Sequence, residues 1–257
     1  MRVESISTEP LRELVRKRLS GKVVVAVMSG KGGVGKSTIA SLIAILTARY
    51  GETTLVDLDI HGTSIPRAMG VQDRMHEVSK EGIEPIKVLD NLGVISIRGI
   101  VGSKYVVLPG EREGNVMEAL LAFTNYGDSR FVIIDMPPGM SDELLVLGRV
   151  TRFTPIIVTT PSKQSLYVVE DLIRYLIDAK QQPRYLIVNM SYIQHGASII
   201  RPFGDVGMAY ELGKKYGLSI IELPIDPSLE NYIGSIINYR GELLSKLEQI
   251  VRAIIGK

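Results

Sequence analysis

Gly30, Gly35, Lys36 and Ser37 stand in the spacing G-x-x-x-x-G-K-S, directly after an apolar run over 23–28 and at the start of a helical pattern over 37–50. Glycines at those positions let a loop wrap closely around a polyphosphate with its N–H groups turned inward, and the helix that follows presents its positive N-terminus to the anion. The whole loop, Gly30, Lys31, Gly32, Gly33, Val34, Gly35, Lys36, Ser37 and Thr38, therefore reads as a cradle for a nucleotide triphosphate. Lys36 is expected to reach the β- and γ-phosphates, and Ser37 to offer a hydroxyl to Mg²⁺.

Two sets of carboxylates fit the same chemistry. Asp135 ends the hydrophobic run Phe131-Val132-Ile133-Ile134, as a metal-supporting carboxylate should. Met136-Pro137-Pro138-Gly139 follows it, a stiff segment closing on a residue free to take positive φ, which suits a loop that senses the γ-phosphate. Asp57 and Asp59 are two apart, so in extended chain they share a side. Two anions beside a triphosphate would repel it unless a cation or water mediates, so one is expected to support Mg²⁺ and the other to orient water.

Such side chains need a frame. Short β-branched runs recur over 23–28, 54–57, 94–97, 131–134, 155–159, 185–188 and 219–221, with helical patterns over 37–50, 115–123, 141–150, 165–179 and 204–216 between most of them. That alternation predicts an α/β fold, a mostly parallel central sheet covered by helices on both faces. Residues 70–90 are polar and poorly periodic and read as a surface excursion. In open parallel sheets ligands bind beyond the carboxyl ends of the strands. The phosphate loop, Asp57, Asp59, Asp135, Asn189 and Pro224 all fall at strand ends and can line one edge. Asn189 has an amide able both to donate to and accept from a purine.

The 257 residues suit one domain, with a helical extension over 1–20 and an amphipathic helix over 238–257. Thirty basic against 28 acidic side chains give no general argument for nucleic acid. Leu243, Leu244, Leu247, Ile250, Val251 and Ile254 line one face of the C-terminal helix and are expected to dock on the core, since Glu248 on the polar face suits a membrane anchor poorly. The longest nearly apolar stretch, 39–48, is too short to span a bilayer, and the charged start lacks a secretory core, so a cytoplasmic protein is expected. No cysteine occurs, which excludes disulfides and thiolate ligation of zinc or an iron-sulfur cluster. His61, His76 and His195 read as solvated surface histidines.

Lys31, directly after the first glycine, narrows the comparison: Lys31-Gly32-Gly33-Val34-Gly35-Lys36-Ser37-Thr38 resembles the deviant Walker A motif of the MinD/ParA superfamily. Asp57-Leu58-Asp59-Ile60-His61-Gly62-Thr63-Ser64-Ile65-Pro66 and Asp135-Met136-Pro137-Pro138-Gly139-Met140-Ser141-Asp142 resemble segments of its Mrp/ApbC branch, and Val188-Asn189-Met190-Ser191 continues the likeness. The resemblance implies a three-layer P-loop ATPase that binds ATP and Mg²⁺ and dimerises around nucleotide, with Lys31 donated across the interface. By position it implies Asp59 as the residue orienting the attacking water, Asp57 and Asp135 as metal support, and Asn189 with the segment from Pro224 to Asp226 as the adenine contacts. It also implies slow hydrolysis coupled to an unidentified protein client, in the setting of iron-sulfur assembly. The branch's paired cysteines are replaced here by Ser191-Tyr192-Ile193-Gln194-His195 and its neighbours, so a cluster cannot be ligated through cysteine. The rival expectation is a positioning or partitioning ATPase like MinD or ParA, acting on a membrane or DNA.

Overall fold

The computed structural model of the chain describes residues 9–59, 62, 64–102, 113–139 and 142–256. The expectations placed on His61, Met140 and Ser141 lie outside the described residues. Two runs of short, bulky residues start the sheet: β1 (Val23–Met28) and β2 (Thr53–Asp57). An edge pair follows, β3 (Ile86–Leu89) and β4 (Leu92–Ser96), then β5 (Phe131–Asp135), β6 (Thr154–Thr159), β7 (Tyr185–His195), β8 (Ser198–Ile200) and β9 (Ser219–Pro224). Their order is β3-β4-β2-β5-β1-β6-β7-β8, with β9 also pairing β7. All pairings are parallel except β3 with β4 and β7 with β8.

Alternation along the strands splits the core into two layers. Val25, Val27, Leu55 and Ile133 face α2 (Lys36–Thr47), α3 (Ser64–Ala68) and the C-terminal helix, while Val24, Ala26, Val56 and Ile134 face the other side. That second side is covered by α1 (Glu9–Leu19), α5 (Glu113–Phe123), α6 (Asp142–Val150), α7 (Lys163–Asp178) and α8 (Gly207–Tyr216). A four-residue turn of helix, α4 (Arg98–Val101), follows β4. The expected three layers are present. Helix α9 (Glu242–Ile254) lays Leu243, Leu244, Leu247, Ile250 and Val251 into the same core as α2, so its apolar stripe is an internal surface. Each such fully buried aliphatic side chain contributes about 1.5–3 kcal/mol.

Residues 70–90 are more than a surface excursion. They end in β3, an antiparallel edge strand with a register irregularity, and isolated bridges join Val78 to Ile83 and Ile83 to Thr124. His76, read as a solvated surface histidine, is a staple within this segment. Its ring lies 3.0 Å from the Glu84 carbonyl through Nδ1, and Nε2 lies 3.1 Å from both the nitrogen and the carbonyl oxygen of Ser96. A neutral ring with the proton on Nδ1 donates to the Glu84 carbonyl and accepts from the Ser96 N–H. Burial pushes this imidazole below its ordinary pKa.

Candidate nucleotide site

The phosphate loop is shaped by its glycines and held from two sides. Gly35 has φ +85° and forms the N-cap of α2 without a side-chain cap, which leaves the first amides of the helix for a ligand. A Cβ on Gly35 would collide with Asn189 Nδ2. On the other side Gly30 lies against α7, where a Cβ would come within 2.7 Å of Val168 Cγ1. The Ser29 hydroxyl donates to the Lys31 carbonyl at 2.8 Å and so fixes the loop's first turn.

Beneath the loop lie the carboxylates. Asp57 and Asp135 are register partners on the adjacent parallel strands β2 and β5, and both face the α2 side. Lys36 folds back onto this pair: its Nζ donates to Asp135 Oδ1 at 2.6 Å, with both side chains buried. Asp135 Oδ2 is buried without a hydrogen-bond partner. Burial pushes the Asp135 carboxyl above the ordinary range, against the pull of the Lys36 ammonium, and burial followed by the charge of Asp135 pushes Asp57 well above it. Asp57 Oδ1 accepts the Asp59 N–H at 3.0 Å, and Asp59 in turn accepts the Gly62 N–H at 2.9 Å.

Over these groups opens a cavity of about 280 Å³, with Lys31, Ser37, Asp59, Pro138 and Met190 in its wall together with Gly32, Gly33, Gly35, Lys36 and Thr38 of the loop. Gly139 has φ +97° and donates its N–H to the Ser29 carbonyl, which holds the Met136 to Gly139 segment beside the loop's start. The structure thus brings Lys31, Lys36, Ser37, Asp57, Asp59 and Asp135 together. An orphaned carboxylate oxygen, a hydroxyl and a second buried acid are hard oxygen donors, and such a set fits a small divalent cation such as Mg²⁺.

The expected base contacts are placed differently. Asn189 reaches the loop itself, its Nδ2 donating to the Val34 carbonyl at 2.9 Å. Pro224 pairs with Tyr192 at the same sheet edge. The Asp226 carboxylate is occupied locally by the Ser228 N–H and hydroxyl and by the Tyr239 hydroxyl, so backbone is what that segment offers a base.

Sequence reasoning missed Met190. It has φ +56°, rare for a side-chain-bearing residue, at the point where the β7–β9 register shifts, and it lines the cavity. A methionine inside a strand-like run carries no signal of this. Ser29 was also missed; its hydroxyl works on backbone, which no residue spacing announces.

The sequence matches the family described as ParA, NUBPL iron-transfer P-loop NTPase, over residues 20–255. Among curated relatives, the iron-sulfur cluster carrier protein of Saccharolobus solfataricus is 31% identical over 218 residues, covering 81% of this chain and 73% of the relative. The cytosolic Fe-S cluster assembly factor NUBP2 homolog of Dictyostelium discoideum is 34% identical over 229 residues, covering 84% and 85% respectively. Among solved structures, a nucleotide-binding protein of Archaeoglobus fulgidus in complex with ADP superposes with a TM-score of 0.79 at 30% identity, covering 90% of this chain and 95% of that one. The cell division ATPase MinD of Pyrococcus furiosus shares the fold, with a TM-score of 0.61 at 17% identity, covering 92% of this chain and 99% of its own. These likenesses agree with the deviant Walker A loop and the two aspartate segments, and the chain belongs to the NUBPL iron-transfer P-loop NTPase family within the ParA group.

Proposed function

We propose that the chain works as a single-domain, Mg²⁺-dependent ATPase with slow turnover, closing as a homodimer around ATP to act on a protein client in iron-sulfur assembly without itself ligating a cluster through cysteine. The observation that carries this reading is the cavity above the Lys36–Asp135 pair, with Lys31 and Asp59 in its wall. Lys36 is placed to exchange its bond to Asp135 for the β- and γ-phosphates, while the uncapped start of α2 offers N–H groups to the same oxygens. Ser37, Asp57 and Asp135 supply the oxygen donors for Mg²⁺, whose charge, when bound, neutralises the phosphate oxygens.

Asp59 orients the attacking water, its carboxylate fixed by the Gly62 N–H. Lys31 is not needed to cradle the phosphates, since backbone amides and Lys36 do so, and its ammonium serves the partner's nucleotide. Asn189 and the backbone from Pro224 to Asp226 hold adenine. The setting in iron-sulfur assembly is supported by the two curated relatives, one a cluster carrier and one an assembly factor. The burial of the apolar face of α9 in the core supports this reading over a positioning ATPase that would use that face on a membrane.

Sedimentation of the protein with Mg-ATP, Mg-ADP and no nucleotide, alongside ADP production with and without chelator, tests this. Doubling of mass with Mg-ATP and chelator-sensitive ADP release are expected. Tight ATP binding with no change of mass and no ADP release would contradict the reading.

A further inference from the structure

At the opposite edge of the sheet from the nucleotide cavity, where β1 and β5 begin, lies a second cavity of about 440 Å³. Its wall includes Lys17 and Arg18 from the last turn of α1, Lys22 from the turn into β1, Leu14, and Tyr126 with Gly127 from the turn before β5. We propose that this cavity is a binding site for a phosphate-bearing small molecule, separate from the ATPase site and independent of the function proposed above. A volume of this size falls within the range of about 300–1,000 Å³ common for small-molecule pockets.

Three cations in one wall point to an oxyanion. Arg18 donates through one terminal nitrogen to the Glu81 carbonyl, but its Nε is buried without a hydrogen-bond partner. The Tyr126 hydroxyl is buried beside the Thr124 hydroxyl, which donates to the Leu120 carbonyl and keeps lone pairs to accept from the phenol. Lys17, Arg18 and Lys22 thus set three positive charges in the wall of one cavity, where a ligand's oxygens would meet them. Lys22 bonds the Gly127 and Ser129 carbonyls, which fixes its ammonium at the rim, and burial depresses its pKa, so it gains from a nearby anion.

Basic residues at a helix C-terminus often do no more than complement the helix dipole. Here the carbonyls of Lys17 and Leu19 already accept the N–H groups of Ser20 and Lys22, so the charges of Lys17 and Arg18 are not needed to cap them. Asp128 is the nearby acid acting on Lys22, and it leaves the set of Lys17, Arg18 and Lys22 with an excess of positive charge. A multiply charged phosphate matches that excess better than a single carboxylate, and Leu14 with the Tyr126 ring gives an apolar wall for an ester's organic part.

The test is calorimetric titration of the ADP-saturated protein, in which the phosphate loop is occupied, with inorganic phosphate, pyrophosphate and ribose 5-phosphate at low salt. Saturable binding at one equivalent is expected, and the preferred probe tells a free phosphate source from an ester. Lys17→Gln and Arg18→Gln should each weaken the preferred probe about 10-fold or more, with the affinity for ADP unchanged. Lys17 is exposed, so its variant stays informative if Arg18→Gln folds poorly. No saturable heat from any of the three probes, or unchanged affinity in Lys17→Gln, would overturn the assignment.

Discussion

Lys36 Nζ and Asp135 Oδ1 lie 2.6 Å apart, both buried, where the phosphate loop crosses the carboxyl end of β5. In this arrangement the cation that should meet the phosphates is held by the carboxylate that should support the metal. Removing either partner leaves a buried charge without its counterpart, and that is costly.

Lys36→Ala should therefore lose nucleotide affinity by at least about 30-fold, as expected for removing a desolvated charge from its partner. The variant should also melt at a lower temperature than wild type, because Asp135 is left unpaired. Lys36→Ala with Asp135→Asn should recover much of the stability and none of the binding. Fluorescent-nucleotide titration with thermal melts checks both; undiminished affinity in the folded single variant would remove the phosphate-loop assignment.

His76 gives a pH dependence away from the site. Its folded pKa is pushed down by burial, so the unfolded chain binds a proton more readily. Stability from the neutral ring is present above the unfolded value of about 6.5 and is lost as pH falls from there toward the folded pKa. His76→Gln should melt lower at pH 7.5 and lose less stability between pH 7 and pH 5 than wild type does. Parallel acid-dependence curves for the two proteins would show that His76 does not titrate in this way.

Leu247 tests the internal role of the C-terminal helix. It is 0% exposed, in the core shared by α9 and α2, so Leu247→Ala should cost about 2–5 kcal/mol in denaturant unfolding. A loss below 1 kcal/mol would mean that the stripe is not a packing surface.

The absence of cysteine bears on cargo. Thiolates are the usual cluster ligands, so after anaerobic incubation with iron and sulfide the protein should remain colourless and hold no stable cluster. A reproducible charge-transfer band with stoichiometric iron would contradict this.

Sequence legibility followed burial. β1, β2, β5 and β6 are buried on both faces, so their apolar runs stand out. β3 is a partly exposed edge strand of only four residues, and β8 is exposed throughout, so neither produced a periodic signal. β7 continues seven residues beyond the apolar run that ends at Val188, because its extension pairs with β8 and with Pro224 and no longer lies between two helical layers. At the site, Lys36, Ser37 and Asp135 were legible because phosphate chemistry constrains their types and spacing. Met190 and His76 act through backbone conformation and carbonyl contacts, and those are set by tertiary structure that no local spacing records.

Two copies of the chain are proposed to complete each other's sites, and mixing Lys31→Ala with Asp59→Ala tests this most directly. Lys31→Ala alone should bind ATP and lose most turnover, since a cation donated in this manner contributes roughly 10³ to 10⁵ in rate. Asp59→Ala alone should bind ATP and hydrolyse it far more slowly, with Asp57 next in line for its role if it does not. In a heterodimer of the two variants, one site keeps its own Asp59 and receives the partner's Lys31. A statistical mixture should then recover about a quarter of wild-type ATP turnover, as half the dimers carry one intact site of two. A mixture as inactive as its components would contradict the shared site.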